Sequence, residues 1–183
     1  MKHSISLLED FKTLYENPTL SDVELRTKTE KFHVHSAVLC ARSTVFNSEI
    51  GNDMKDKLNR CLEVCDVDDD TLRRMIKYMY CDVVEDIGWK DACLLYVAAH
   101  TYAIYSLKQK CSMILREACC LSNACEIIKH AYSYEDEYLK TFTKEYITAH
   151  YREIKEKNEW KLLVAAKEKL VLDIVVPLLN THI

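Results

Sequence analysis

Hydrophobic and polar positions change their spacing along the chain, and the change divides it in two. Near the start, Leu7, Phe11 and Leu14 recur at i, i+4 and i+7 while Lys12, Thr13 and Glu16 fall elsewhere, the spacing of one helical face. Ser6-Leu7-Leu8-Glu9 is a capping-box pattern that predicts where this helix begins, and Asn17-Pro18 predicts where it stops. A helix so short is marginal in isolation and must bury its stripe, either on its own core or on another subunit. The spacing then falls to two. Val23, Leu25 and Thr27 alternate with Glu24, Arg26 and Lys28, and Phe32 and Val34 continue after a polar turn, which predicts a hairpin with one wet face. Residues 36–40 read as a short apolar helix, Ser43 as the N-cap of the next helix and Gly51 as its end.

Leu62-Glu63-Val64 suits a third short strand. Asp68, Asp69 and Asp70 place negative charge where a helix N-terminus favours it, and Leu72, Met75, Ile76 and Met79 supply that helix with a buried stripe. Two further helices are predicted over 89–100 and 106–119. From Ser122 onward every periodic segment is helical, including Ile127, Ile128 and Ala131, then Leu139, Phe142, Tyr146 and Ile147. The predicted class is α+β: a short β-sheet flanked by helices in residues 1–119, then an all-helical region over 120–183, with no flexible linker between them.

Composition narrows the function classes. Of 183 residues, 49% are apolar and 30% charged, the balance of a folded globular chain. The formal net charge of -4 offers no global field for nucleic acid or anionic lipid. The chain has nine cysteines, an odd number without a CxxC pair, and Cys40, Cys93, Cys111 and Cys119 sit in apolar runs. They read as buried, reduced thiols of a nuclear or cytoplasmic protein. The first ten residues lack the basic start and apolar stretch of a secretion signal, and no run approaches the roughly 18 to 20 apolar residues of a membrane span.

Candidate chemistry is sparse. His33 and His35 are two apart on a predicted strand and point to opposite faces, so they cannot converge on a metal; no cofactor, metal or catalytic residue is expected. Cys61 and Cys65 share a strand face too far apart for a disulfide and read as packing residues. With two glycines in the chain there is no phosphate loop and no nucleophile elbow. The carboxylates at 66–70 and 135–137 precede apolar periodicity, where the helix dipole accounts for them. Lys155, Lys157 and Lys161 interleave with Glu153, Glu156 and Glu159 as a solvated helix face rather than a phosphate-binding stripe.

Ser21-Asp22-Val23, followed by the run from Phe32-His33-Val34-His35-Ser36 to Val45-Phe46, then Leu62-Glu63-Val64 and the helix to Tyr80, resembles the signature of BTB/POZ domains. Beyond it, Leu121-Ser122-Asn123-Ala124-Cys125-Glu126-Ile127-Ile128, Tyr146-Ile147-Thr148-Ala149-His150 and Trp160-Lys161 resemble the helical BACK region of the speckle-type POZ protein family. The likeness runs from about Leu7 to about Val171. It implies that Asp22 and His35 are buried polar residues that organise the domain. It further implies a homodimer, or a dimer with a related BTB protein, through the first helix and a neighbouring core helix, with Leu7, Phe11, Leu14 and Val38 at the interface.

The same resemblance implies an adaptor that docks the cullin-3 scaffold of a ubiquitin ligase through a hydrophobic-x-Glu motif, matched here by Met54-Lys55-Asp56, with Tyr80 as a further contact and the helical pair around 125–146 extending it. Asp56 keeps the charge of the family's Glu and shortens its reach by one methylene. Val175 stands where the family carries an aromatic for a second self-association. Family members read substrates through an N-terminal MATH domain, for which no sequence precedes Met1. The resemblance therefore implies substrates bound only through a domain absent here, or a short protein that pairs with a full-length relative or competes for the cullin. A BTB scaffold that only self-associates is the alternative.

Overall fold

The computed structural model describes residues 6–52, 61–166 and 168–180. It divides into two compact units, one ending at Lys110 and the other beginning at Cys111. The first opens with helix α1 (Leu7–Glu16), whose predicted capping box is present: the Ser6 hydroxyl accepts from the Glu9 amide at 3.3 Å and the Glu9 carboxylate accepts from the Ser6 amide at 3.0 Å. Asn17 closes the helix.

Strands β1 (Val23–Arg26) and β2 (Lys31–Val34) form the predicted antiparallel hairpin, in register Val23 to Val34 and Leu25 to Phe32. Val23 and Leu25 are buried, while Glu24 and Arg26 face the wet side, as period-two alternation requires. Strand β3 (Cys61–Glu63) lies parallel to β1 on its other side, so the sheet order is β2-β1-β3. A parallel neighbour demands a crossover. The described part of that connection is α2 (Ser36–Arg42) and α3 (Thr44–Asn52).

Ser43 sits between these helices as predicted. Its buried hydroxyl accepts from the Phe46 amide at 3.1 Å and donates to the Tyr102 carbonyl at 2.5 Å, while Phe46 stacks on the Tyr102 ring with centroids 4.7 Å apart. Gly51, read as a helix end, lies within α3, which continues to Asn52. No described glycine has positive φ, so no left-handed cap forms there.

Helix α4 (Asp69–Cys81) starts at Asp68, whose carboxylate accepts from the Thr71 amide at 2.9 Å and hydroxyl at 2.7 Å. Burial raises the Asp68 pKa, but these bonds outweigh it and hold the carboxyl below its ordinary range. The predicted stripe of Leu72, Met75, Ile76 and Met79 is buried together with Tyr78, Tyr80 and Cys81. Helix α4 ends at Asp82 in the left-handed region, φ 55°. The Asp82 carboxylate accepts from Arg42 Nη2 at 2.7 Å and Lys110 Nζ at 2.9 Å, and both cations also lie over the Tyr78 ring, at 5.1 and 5.0 Å. Arg42 first, then Lys110, lowers the Asp82 carboxyl to about 2. Helix α5 (Trp89–Thr101), Ile104 in the turn after it and the start of α6 (Tyr105–Glu117) complete the core with Leu95, Tyr96 and Leu107.

In the second unit, α7 (Ala124–Ser133) packs on α8 (Glu137–Ala149), followed by α9 (Tyr151–Ile154), α10 (Asn158–Ala166) and α11 (Glu168–Asn180). Its core gathers Cys125, Ile128, Ile147, Trp160, Leu163 and Ile174, with the Val175 side chain packed against it. Asp136 caps α8 by accepting from the Leu139 amide at 3.0 Å, the role predicted for the 135–137 carboxylates. The charged run from Glu153 to Lys161, read as one helix face, instead straddles the turn between α9 and α10, where Ile154 is buried and ends the shorter helix.

The cysteine reading needs correction in part. None of the nine cysteines is joined in a disulfide, and Cys93 and Cys111 are buried as expected, but Cys40 and Cys119 are half-buried. Cys61 is half-buried at the sheet edge and Cys65 is exposed, because strand pairing ends at Glu63 before Cys65 can turn inward.

Candidate interaction surface

The most incompletely covered element of the first unit is α1. No α1 residue is buried; Leu7 is 74% and Leu8 50% exposed, and Phe11, Leu14 and Tyr15 are half-buried. The helix packs on α4, with the Tyr15 ring 5.8 Å from that of Tyr80, so one flank has support while the stripe of Leu7, Phe11 and Leu14 retains apolar area in water. Val38, predicted on the same face, is only 9% exposed and serves the core of its own chain. On α2 the exposed small residues are Ala37 and Ala41, spaced i and i+4.

Beneath α1 runs a satisfied polar network. The Tyr80 hydroxyl accepts from the His35 amide at 2.9 Å and lies 2.8 Å from His35 Nδ1, while His35 Nε2 lies 3.0 Å from the Thr19 carbonyl. A carbonyl only accepts, so Nε2 carries the imidazole proton, Nδ1 is the acceptor and the Tyr80 hydroxyl donates to it. Asp22 accepts from the Ser36 amide at 2.7 Å and hydroxyl at 2.6 Å, tying β1 to the first turn of α2. Both residues hold the organising bonds that the resemblance implied. Their burial is lower than implied: in the single chain Asp22 is exposed and His35 half-buried.

Of the predicted cullin contacts, Met54, Lys55 and Asp56 lie outside the described residues. Tyr80 is 5% exposed and its hydroxyl is engaged with His35. Its ring lines the floor of an open depression of about 390 Å³ together with Tyr15, Pro18, Phe32, Arg73 and Ile76. His33 and His35 do not converge: His33 is exposed with Nε2 4.0 Å from Glu24, and His35 is bonded as above. Among the described residues there is no group of three or more His, Cys, Asp or Glu able to hold a metal ion, and no helix is long and apolar enough to cross a membrane.

The second unit carries an aromatic stripe that the sequence reading did not single out. Phe142 and Tyr146 belong to the helical periodicity read from the sequence, and the buried face of α8 is Leu139, Thr143 and Ile147. Phe142 and Tyr146 belong instead to a partly exposed row with Tyr138 and His150, spaced by four. Tyr146 stacks on His150 at 4.3 Å, and the Arg116 guanidinium lies 5.5 Å from both the Tyr138 and Phe142 rings. Four aromatic rings at i, i+4, i+8 and i+12, with Leu139 and Ile147 one position on from Tyr138 and Tyr146, were the available signal.

This architecture has known counterparts. The BTB/POZ domain family matches residues 11–118, more than half of the chain, and the chain belongs to that family. Similar proteins include TD and POZ domain-containing protein 4 of Mus musculus, 28% identical over 169 residues that make up 92% of this chain and 46% of that protein. TD and POZ domain-containing protein 3 of Mus musculus is 29% identical over 168 residues, 91% of this chain and 46% of that protein. The chain thus spans less than half the length of these relatives. The BTB domain of zebrafish PATZ1 superimposes with a TM-score of 0.53 at 23% identity, covering 63% of this chain and 93% of that domain, a likeness of fold. The expected α+β class and the BTB/POZ resemblance are borne out, with additional helices following the domain. BTB/POZ domains are protein-interaction modules that self-associate and bind other BTB proteins.

Proposed function

We propose that this chain is a dimerising adaptor that docks a cullin-3-type scaffold and so links bound substrates to a ubiquitin ligase. The observation that carries the dimer is α1, a capped amphipathic helix none of whose residues is buried in the single chain. A second copy placed across a two-fold axis covers the Leu7, Phe11 and Leu14 stripe. The contribution of α2 passes from Val38, already buried, to Ala37 and Ala41. Cullin docking is assigned to Met54-Lys55-Asp56, with Tyr80 setting the floor beneath α1 and the α7–α8 pair extending the contact. Substrates are selected elsewhere than on the BTB surface. A nuclear or cytoplasmic location, where nine cysteines outside any disulfide remain reduced, belongs to the same reading.

Two measurements test it. By light scattering the chain is expected to be a dimer and Leu14→Asp a folded monomer, because a carboxylate buried without a partner at a dimer core costs more than the contact contributes. A Leu14→Asp variant that stays dimeric puts the interface elsewhere. By titration calorimetry the chain is expected to bind the N-terminal domain of cullin-3 saturably, Met54→Glu to abolish binding, and Asp56→Glu to strengthen it. A second reading, a self-associating scaffold without cullin contact, is favoured by Asp56 itself, whose shorter side chain departs from the family motif. A folded dimer that gives no heat with the cullin domain establishes that second reading.

A further inference from the structure

Four helices of the second unit border an open depression of about 570 Å³, a volume that admits a small ligand or one side chain with its flanking backbone. Helices α7, α8 and α11 each bring one lysine to its wall, Lys129, Lys140 and Lys169, and Leu170 with Ala166 of α10 gives it an apolar side. The three lysines are far apart in the chain, and only the packing of the helices makes one basic site of them. Lys140 is set deepest. Its side chain is 16% exposed, and its ammonium lies 5.1 Å from the centre of the Tyr132 ring. A charge so far withdrawn from water needs an anion. The Glu137 carboxylate that it meets at 2.5 Å stands 81% exposed in the first turn of the same helix, where water competes for it. Lys129 and Lys169 are exposed, and their long stems let the ammoniums close over a guest. On the far side of the charge balance is Asp173, whose Oδ2 accepts from the Tyr132 hydroxyl at 3.2 Å. Burial first, then Asp173, pushes the Tyr132 phenol up to about 12, so it stays a neutral donor.

We propose that this depression is a recognition site for a phosphoserine segment of a partner protein, its phosphate held by Lys129, Lys140 and Lys169. Three ammoniums and one carboxylate in the wall suit a guest that carries two negative charges and an N–H group, and a phosphoserine residue carries both. The phosphate oxygens accept from the three ammoniums and from the exposed Ser133 hydroxyl, and Glu137 turns out into water. The amide of the phosphoserine donates to a remaining lone pair of Asp173, and the residue beside it rests on Ala166 and Leu170. The chain belongs to a family of protein-interaction modules, and an open depression admits a peptide, so a protein segment rather than a free phosphate ester is the carrier of the group. The site shares no residue with α1 or with Met54-Lys55-Asp56, so its failure leaves the adaptor reading standing.

The test titrates the nitrogen-15-labelled chain with N-acetyl-phosphoserine-methylamide and follows the backbone amide resonances. Saturable shifts are expected within 129–133 and 169–173 and at Lys140. Inorganic phosphate, which lacks the N–H group, and N-acetyl-glutamate-methylamide, which lacks the second charge, are each expected to bind about tenfold more weakly. Lys129→Ala and Lys169→Ala change exposed positions and are each expected to weaken binding about tenfold, as is Lys140→Met, which keeps the buried stem and whose fold is verified by circular dichroism. Ser133→Glu, which places a carboxylate in the depression, is expected to block binding, and Lys161→Ala, outside it, to change nothing. No saturable shift, shifts confined to other helices, equal affinity for inorganic phosphate or for the glutamate compound, or undiminished binding by the Lys129→Ala, Lys169→Ala double variant would each overturn the assignment.

Discussion

Helices α1 and α4 begin alike and are used in opposite ways. Each starts at a side-chain cap, Ser6 accepting from Glu9 and Asp68 from Thr71, and each carries an apolar stripe at helical spacing. Yet α4 buries Leu72, Met75, Ile76, Tyr78 and Met79, whereas α1 buries nothing and rests one flank on α4. Amphipathicity states that a face needs cover. It does not state whether the cover is the same chain or another copy, and that distinction separates a core helix from an interface helix.

Four experiments press on this contrast. The largest expected effect is Met75→Ala, which removes a fully buried side chain of α4 and should cost about 2–5 kcal/mol in urea unfolding, since a packed core relaxes only partly around the cavity. The matching change on α1, Leu7→Ala, should cost less than about 0.5 kcal/mol at protein concentrations where the chain is monomeric, because Leu7 is already in water there. Tyr80→Phe comes next. It leaves the His35 amide and Nδ1 without their hydroxyl partner and should cost about 1–3 kcal/mol, read by the same unfolding experiment.

Smaller still is loss of a cap. Asp68→Ala should lower global stability by about 1 kcal/mol, whereas Ser6→Ala should raise hydrogen exchange in the first turn of α1 and leave the urea midpoint of the monomer unmoved. The smallest effect is the acid sensitivity of the clamp at the end of α4. Arg42 and Lys110 hold the Asp82 carboxyl at about 2, below the unfolded value near 3.9, so its stabilisation is complete above that unfolded value and is lost as pH falls toward 2. Asp82→Asn should flatten the stability profile over that acid window. The change should be modest, because the side chain is half-exposed and solvent screens the pair.

Local physics made much of the first unit legible from residues alone. The Ser6 capping box, the alternation through β1 and β2, and the acidic start of α4 are all decided within a few residues of one another, and they form as predicted. Legibility failed where burial depended on residues distant in the chain. The resemblance implies Val38 at the interface, yet its side chain is buried within its own chain, and Phe142 and Tyr146 share a helical periodicity with Leu139 and Ile147 but flank the buried face of α8. Asp82, Arg42 and Lys110 carry no joint signature, since 40 and 28 residues separate the carboxylate from its two cations.

The sequence by itself determined where helices and strands start, the α+β class, and the BTB/POZ signature, because caps, turns and side-chain period act over a handful of residues. Tertiary structure alone decided which apolar faces are consumed internally, which stripe of α1 stays unburied in the single chain, and which of nine cysteines meets solvent. Those outcomes depend on what long-range packing brings to each face, and packing is a property of the whole folded chain rather than of any segment.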